Sequence, residues 1–221
     1  MSTVRIEPMI TINLTDEVSL SFGTLFLRRK ITAMLPLHPE LVALAHQLRK
    51  EQPGIDRSNV GGWHSDGNIF ARRQTALIEL SKHLQAALQQ ISVVANQVLD
   101  VRVNFQATIF GWINIHTTGG YHQPHYHPGT TWSGVYYIQT GETVPNFPLS
   151  GCIQFVDPRS RCETGPDMAV SHLGIMSVQP EDGLLLLFPS YLEHYVHPYF
   201  GRGERISLAF NCTVKALDPI S

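Results

Sequence analysis

The sequence predicts a mainly β protein, a double-sheet jelly roll with flanking helices. Three observations carry that prediction. After Asp100 come eight short β-rich runs: Phe105–His116, His125–His127, Ser133–Gln139, Gly151–Val156, Ala169–Val178, Gly183–Phe188, Glu193–Val196 and Arg205–Val214, separated by Gly, Pro, Asp and Ser clusters. Short strands with turn signals at close intervals imply a sandwich or a barrel. The last run alternates cleanly: Ile206, Leu208, Phe210 and Cys212 form an apolar face, opposite Arg205, Ser207, Ala209 and Asn211. A period of two is the signature of a strand with two different faces. Before the strands, Leu77, Leu80, Leu84, Leu88, Ile91, Ala95 and Val98 recur at three- and four-residue steps. That spacing predicts a helix over Thr75–Leu99 packed across a sheet.

The remaining elements follow in chain order. Met9–Leu14 and Leu20–Leu27 read as strands that add to the edge of a later sheet, the second weakened by Gly23. A helix opens at Leu37-His38-Pro39-Glu40, with Pro near its first position, and carries Leu41, Leu44, Ala45 and Leu48 on one face. Pro53-Gly54 ends it. Ser58–Gly67 holds so many turn formers that it reads as a loop, in which Trp63 serves as a packed cover or a substrate-side lid. Nothing resembles a linker or a repeat. We therefore expect one domain over 1–221, with N-terminal strands and supporting helices in 1–104 and the jelly-roll core in 105–215.

Composition excludes several function classes. The chain has 221 residues, 43% of them hydrophobic, enough to bury a core without staples. A net charge of −2 argues against a nucleic-acid footprint or a polybasic membrane patch. The low charged fraction, 15%, hints at a homodimer. Three cysteines, Cys152, Cys162 and Cys212, make no disulfide framework and fit reduced thiols in a cytoplasmic protein. No apolar run reaches the roughly 20 residues that span a bilayer, and no signal peptide is evident.

Eleven histidines are the compositional outlier, and seven lie between residues 116 and 197. His125 and His127 share one side of a strand if the period of two holds. His194 lies 67 residues after His127, and Arg205-Ile206-Ser207 begins eleven residues after His194. Two imidazoles from one strand and a third from a facing strand can take three adjacent corners of an octahedron, leaving three open. Three neutral ligands leave the ion its full charge, which favours an anionic cosubstrate, and they would also accommodate zinc. Arg205 and Ser207, on the polar face, would meet a dicarboxylate with a two-pronged guanidinium and a hydroxyl. The bland alternative for Arg205 is a salt bridge to an internal acid such as Asp157. Asn114 and His116 share a face of the strand leading to the histidine loop, where they could bind the cosubstrate or be merely structural. His122 is a less favoured ligand, His197 faces away from His194, and His172 reads as surface.

These residues resemble the 2OG-Fe(II) oxygenase family of short bacterial and phage-associated proteins. The resemblance rests on Ser58–Ser65, Trp112-Ile113-Asn114, Pro124–Pro128, Ser133–Tyr137, Phe155–Arg159, Phe188-Pro189-Ser190 with His194, and Arg205–Asn211. It implies a double-stranded β-helix core (the cupin-like jelly roll), Fe(II), and 2-oxoglutarate as cosubstrate. It implies metal ligation by His125 and His194 and carboxylate binding by Arg205 and Ser207. The Asn114-x-His116 spacing is similar to the Asn-x-Tyr of the alkylation-repair dioxygenases. The departure is HxH where the superfamily has HxD or HxE. His127 is expected as the third ligand; an empty corner, as 2-oxoglutarate halogenases use for a halide, is the alternative. The expected activity is a dioxygenase hydroxylating an unknown small-molecule or peptide substrate. The rival is a non-catalytic cupin-like module that binds a metal or small ligand. Trp63, Trp132 and Tyr121 are expected to line an apolar entrance.

Overall fold

The computed structural model describes residues 23–99, 103–142, 144–159 and 174–219. The expected strand Met9–Leu14, the first three residues of the expected strand Leu20–Leu27, and His172 and Cys162 lie outside the described residues; of the rest of Leu20–Leu27, only Leu27 is in a strand. The elements, in order, are β1 (Leu27–Lys30), a 3-10 turn (Thr32–Leu37), α1 (His38–Glu51), β2 (Asn59–His64), a 3-10 turn (Ile69–Ala71), α2 (Thr75–Leu99), β3 (Val103–His125), β4 (Trp132–Gln139), β5 (Ile153–Val156), β6 (Ile175–Val178), β7 (Leu184–Pro189), β8 (His194–Val196) and β9 (Arg205–Pro219).

The nine strands form one antiparallel sheet that curls on itself, in the order β1-β7-β4-β9-β3-β8-β5-β6, with β2 added beside β3. This is the jelly-roll architecture expected. Period-two alternation sorts the side chains into two cores. Tyr136 and Ile138 of β4, Leu185 and Leu187 of β7, and Ile206, Leu208, Phe210 and Cys212 of β9 pack with the apolar stripes of α1 and α2. Val135 and Tyr137, Leu184, Leu186 and Phe188 point the other way, into the curl, and meet Ile153, Phe155, Val178 and Val196. β7 can be apolar on both faces because both are covered.

The helices are where periodicity puts them. Pro39 sits in the first turn of α1, where its missing N–H costs nothing, and Leu41, Leu44, Ala45 and Leu48 are buried. The helix ends where Gln52 turns extended before Pro53. Among the described residues, no helix is long and apolar enough to cross a membrane.

Two expectations are corrected. Asn59–His64 is a strand, not part of a loop. It pairs with β3 through a bulge at Val60/Gly62, and Gly61, at φ +63°, makes that bulge. Gly62 has a separate reason: a Cβ there would lie 2.5 Å from the His116 ring. The second correction concerns Phe105–His116 and His125–His127, expected as two strands. The first is part of a single long β3 that pairs with β9 through His116 and then with β8 from His122 to His125. β3 thereby passes from one side of the curl to the other, and His127 lies beyond its end.

Candidate metal centre

Strand pairing builds the site. In the β3–β8 register His125 stands directly opposite His194. His127 follows the end of β3, and its N–H donates to the Ser190 carbonyl at 2.9 Å. Ser190 is itself held by hydroxyl contacts to Thr130 and Ser133, and Ser133 donates to Asn211 on β9. The HxH pair therefore converges because a hydrogen-bonded loop returns to the site, rather than because both residues share a strand face. The rings of His125, His127 and His194 lie 4.4–5.2 Å apart between centroids. One ring nitrogen of each lies within 4.8 Å of the others, so the three could hold one metal ion.

Their tautomers suit that role. His125 Nδ1 lies 2.7 Å from the Gln123 carbonyl, and His194 Nδ1 lies 2.8 Å from the Leu192 carbonyl. A carbonyl can only accept, so each Nδ1 carries the proton and each Nε2 keeps its lone pair. Burial holds all three rings neutral: it lowers His125, takes His127 down to about 4, and takes His194 down to about 3, with neighbouring rings adding to the last two.

Beside the histidines lies a cavity of about 500 Å³. Its floor includes Arg205 and Ser207 from β9 and Asn114 from β3, where Asn114 and Ser207 are register partners. Arg205 is 2% exposed. Its Nε has no hydrogen-bond partner, and among the described residues it forms no ion pair. The expected alternative, a salt bridge to Asp157, is not what is seen: Asp157 pairs with Arg159. The guanidinium instead lies 5.1 Å from the centroid of the Tyr137 ring. Tyr137 Oη and Asn114 Oδ1 are also buried without partners. A buried cation and two orphaned polar groups around one void are costly unless an anion joins them. The residues thus fit a divalent metal on the histidines and a dicarboxylate on Arg205.

Other expectations fare differently. His116 is buried behind the cavity wall rather than lining it; its ring sits 4.7 Å from that of His122, and Arg205 and burial take it down to about 3, burial being the larger cause. His122 lines the cavity but falls outside the three-histidine cluster. The entrance aromatics were misplaced. Trp132 is buried in the helix-side core, Trp63 donates to the Gln52 carbonyl as a packed cover, and Tyr121 does not line the cavity. Phe110, Trp112 and Tyr126 line it instead. Sequence reasoning gives Tyr137 no role beyond its place in the Ser133–Tyr137 motif, although it follows Ser133 and Val135 on the inward face of β4. Ser58 was also missed: its Oγ lies 3.0 Å from His122 Nδ1 and 3.3 Å from His125 Nε2.

Residues 111–211 match the family described as "Putative 2OG-Fe(II) oxygenase". With it come the activity class, an Fe(II)- and 2-oxoglutarate-dependent dioxygenase, and its two requirements, the metal and the cosubstrate. The matched segment contains all three histidines, Arg205 and Ser207. No curated protein sequence matches this chain. Among solved structures, the fold is shared with a Pseudomonas putida prolyl-4-hydroxylase: TM-score 0.55, 18% identity, covering 85% of this chain and 91% of that one. It is shared with a Trichoplax adhaerens prolyl hydroxylase in complex with a hypoxia inducible factor peptide fragment: 0.56, 14%, 85% and 83%. HygX from Streptomyces hygroscopicus, with nickel, 2-oxoglutarate and hygromycin B bound, gives 0.53, 14%, 86% and 83%. At such identities the likeness is one of fold.

Proposed function

We propose that this oxygenase hydroxylates a small-molecule or peptide substrate at a centre held by His125, His127 and His194, with 2-oxoglutarate anchored on Arg205 and Ser207. Asn114 and Tyr137 offer the same ligand an amide and a hydroxyl. His116, the register partner of Arg205 on β3, is buried beside it without lining the cavity. The observation that carries this reading is Arg205: a fully buried cation without an ion pair among the described residues, opening on the cavity that also holds the three imidazoles. A simple metal-binding module has no use for such a group.

When bound, Fe(II) and 2-oxoglutarate supply the oxidising power, dioxygen being split between succinate and the substrate as carbon dioxide leaves. The chain's own residues position and shield. The carbonyls of Gln123 and Leu192 fix two imidazoles with their lone pairs turned to one point. The Ser190 carbonyl pins the loop that brings the third. Arg205 and Ser207 orient the cosubstrate, and Phe188 and Val196 keep the inner wall apolar. We also propose a cytoplasmic setting, with Cys152 and Cys212 as buried free thiols.

The test is release of succinate from 2-oxoglutarate by the full chain with Fe(II) and oxygen. Succinate formation that requires all three components is the expected result. No turnover, with metal still bound, would leave the non-catalytic module standing.

A further inference from the structure

The outer half of the cavity is built from β2, β3 and the segment before β2, and it has a character of its own. Phe110, Trp112 and Asn114 lie on one face of β3, so that face runs from two rings at the rim to an amide at the floor. The Trp112 ring stacks on the His64 ring, 5.3 Å between centroids and 13° from parallel, and lies 5.9 Å from the His127 ring. Phe110 continues the wall, 6.4 Å from Trp112, yet it is 49% exposed. A half-bare aromatic side chain at the lip of an active-site cavity is a surface that a flat ligand would cover.

The charged side chains lining the cavity are Arg57, Asp66 and Arg205. Arg205 belongs to the floor. Asp66 Oδ1 accepts from the Gly67 N–H of its own turn. Arg57 has no ion pair among the described residues. Its root is nonetheless fixed: its N–H donates to Asn59 Oδ1 at 2.8 Å, and the next carbonyl, that of Ser58, accepts from Gln123 N–H at 2.9 Å. Ser58 is also the residue whose hydroxyl lies 3.3 Å from His125 Nε2. Adjacent Cα atoms are about 3.8 Å apart, so the Arg57 cation is rooted one residue from the metal centre. Among the described residues lining the outer cavity, Arg57 is thus the cation left without an ion pair.

We propose that the cavity mouth selects a small substrate carrying both a flat ring and a carboxylate, the ring against Trp112 and Phe110 and the carboxylate on Arg57. This rests on the oxygenase reading and names the substrate class for the same site. The cavity, about 500 Å³ and shared with the cosubstrate, suits a molecule of this size. A charge-assisted pair at a partly enclosed mouth discriminates an acid from its amide.

The test uses calorimetry on the full chain, loaded with Mn(II) and 2-oxoglutarate without oxygen. The probes are 3-phenylpropionate, its amide, 3-phenylpropylamine and hexanoate. The acid should bind about tenfold or more tightly than its amide, as expected for a charge-assisted contact, and more tightly than hexanoate. Arg57→Gln should erase the acid-over-amide preference while 2-oxoglutarate affinity stays within about twofold, and Phe110→Ala should erase the preference over hexanoate. Equal binding of acid and amide, tighter binding of the amine, no binding of the aromatic acid, or a preference that survives Arg57→Gln overturns the proposal. If 2-oxoglutarate itself fails to bind the wild-type protein, the oxygenase reading falls and this one with it; if it binds and the acid preference is absent, only this inference falls.

Discussion

At the scale of single residues, the account assigns separable jobs. His194 has one ring nitrogen tied to the Leu192 carbonyl and the other free, so His194→Ala should abolish metal binding in a direct titration while leaving the chain folded. Arg205→Ala should keep the metal and weaken 2-oxoglutarate by about 2–4 kcal/mol, the scale for removing one partner of a buried charged contact. Tyr137→Phe removes an unpartnered buried hydroxyl beside Arg205. It should weaken the cosubstrate by about 0.5–1.5 kcal/mol in the same calorimetric titration without lowering the unfolding midpoint. Much of this was legible in the sequence. The alternation of Arg205 and Ser207 against Ile206 and Leu208 placed the guanidinium inward from the sequence alone. Tyr137 obeys the same rule on β4 and was passed over because nothing in Trp132–Gln139 marked which face was the inner one. His127 was assigned for a geometric reason that does not hold, since the strand ends at His125 and the Ser190 carbonyl does the steering.

Elements were legible where one physical signal dominated. α1 and α2 declared themselves through a 3.6-residue stripe, and β9 through alternation. β2 did not, because Gly61-Gly62 reads as a turn whichever role it plays. Its glycines answer to tertiary demands: one forms a bulge, the other clears space for His116. Gly62→Val should therefore destabilise by about 1–3 kcal/mol, as overpacking does, in a urea titration. Length hid β3 as well, because a 23-residue strand that pairs with three different partners carries a Gly119-Gly120 interruption resembling a loop. The N–H of Gly119 donates to the Tyr199 carbonyl across the bend.

At the scale of the molecule, the described residues form a curled sheet with one face under helices and the other around the cavity, and the buried histidines have a collective consequence. Burial lowers the pKa of His38, His64 and His116, the last to about 3, all away from the three-histidine cluster. Each must gain a proton more readily unfolded than folded. Their neutral burial is therefore fully compatible with the fold above the unfolded value near 6.5, and stability is lost as pH falls below it toward the folded values. The metal-free protein should show a melting temperature that drops steadily from pH 7 to pH 4; a flat profile would contradict the assignment of these rings as buried and neutral.

The central claim is that three imidazoles and one unpaired guanidinium face a single cavity built for a metal and a dicarboxylate. Calorimetric titration of 2-oxoglutarate into the wild-type chain, with and without Fe(II) under anaerobic conditions, and into Arg205→Ala with Fe(II), tests it most directly. Tight binding that needs both the metal and Arg205 is the predicted result. Affinity unchanged by removing either one would contradict it.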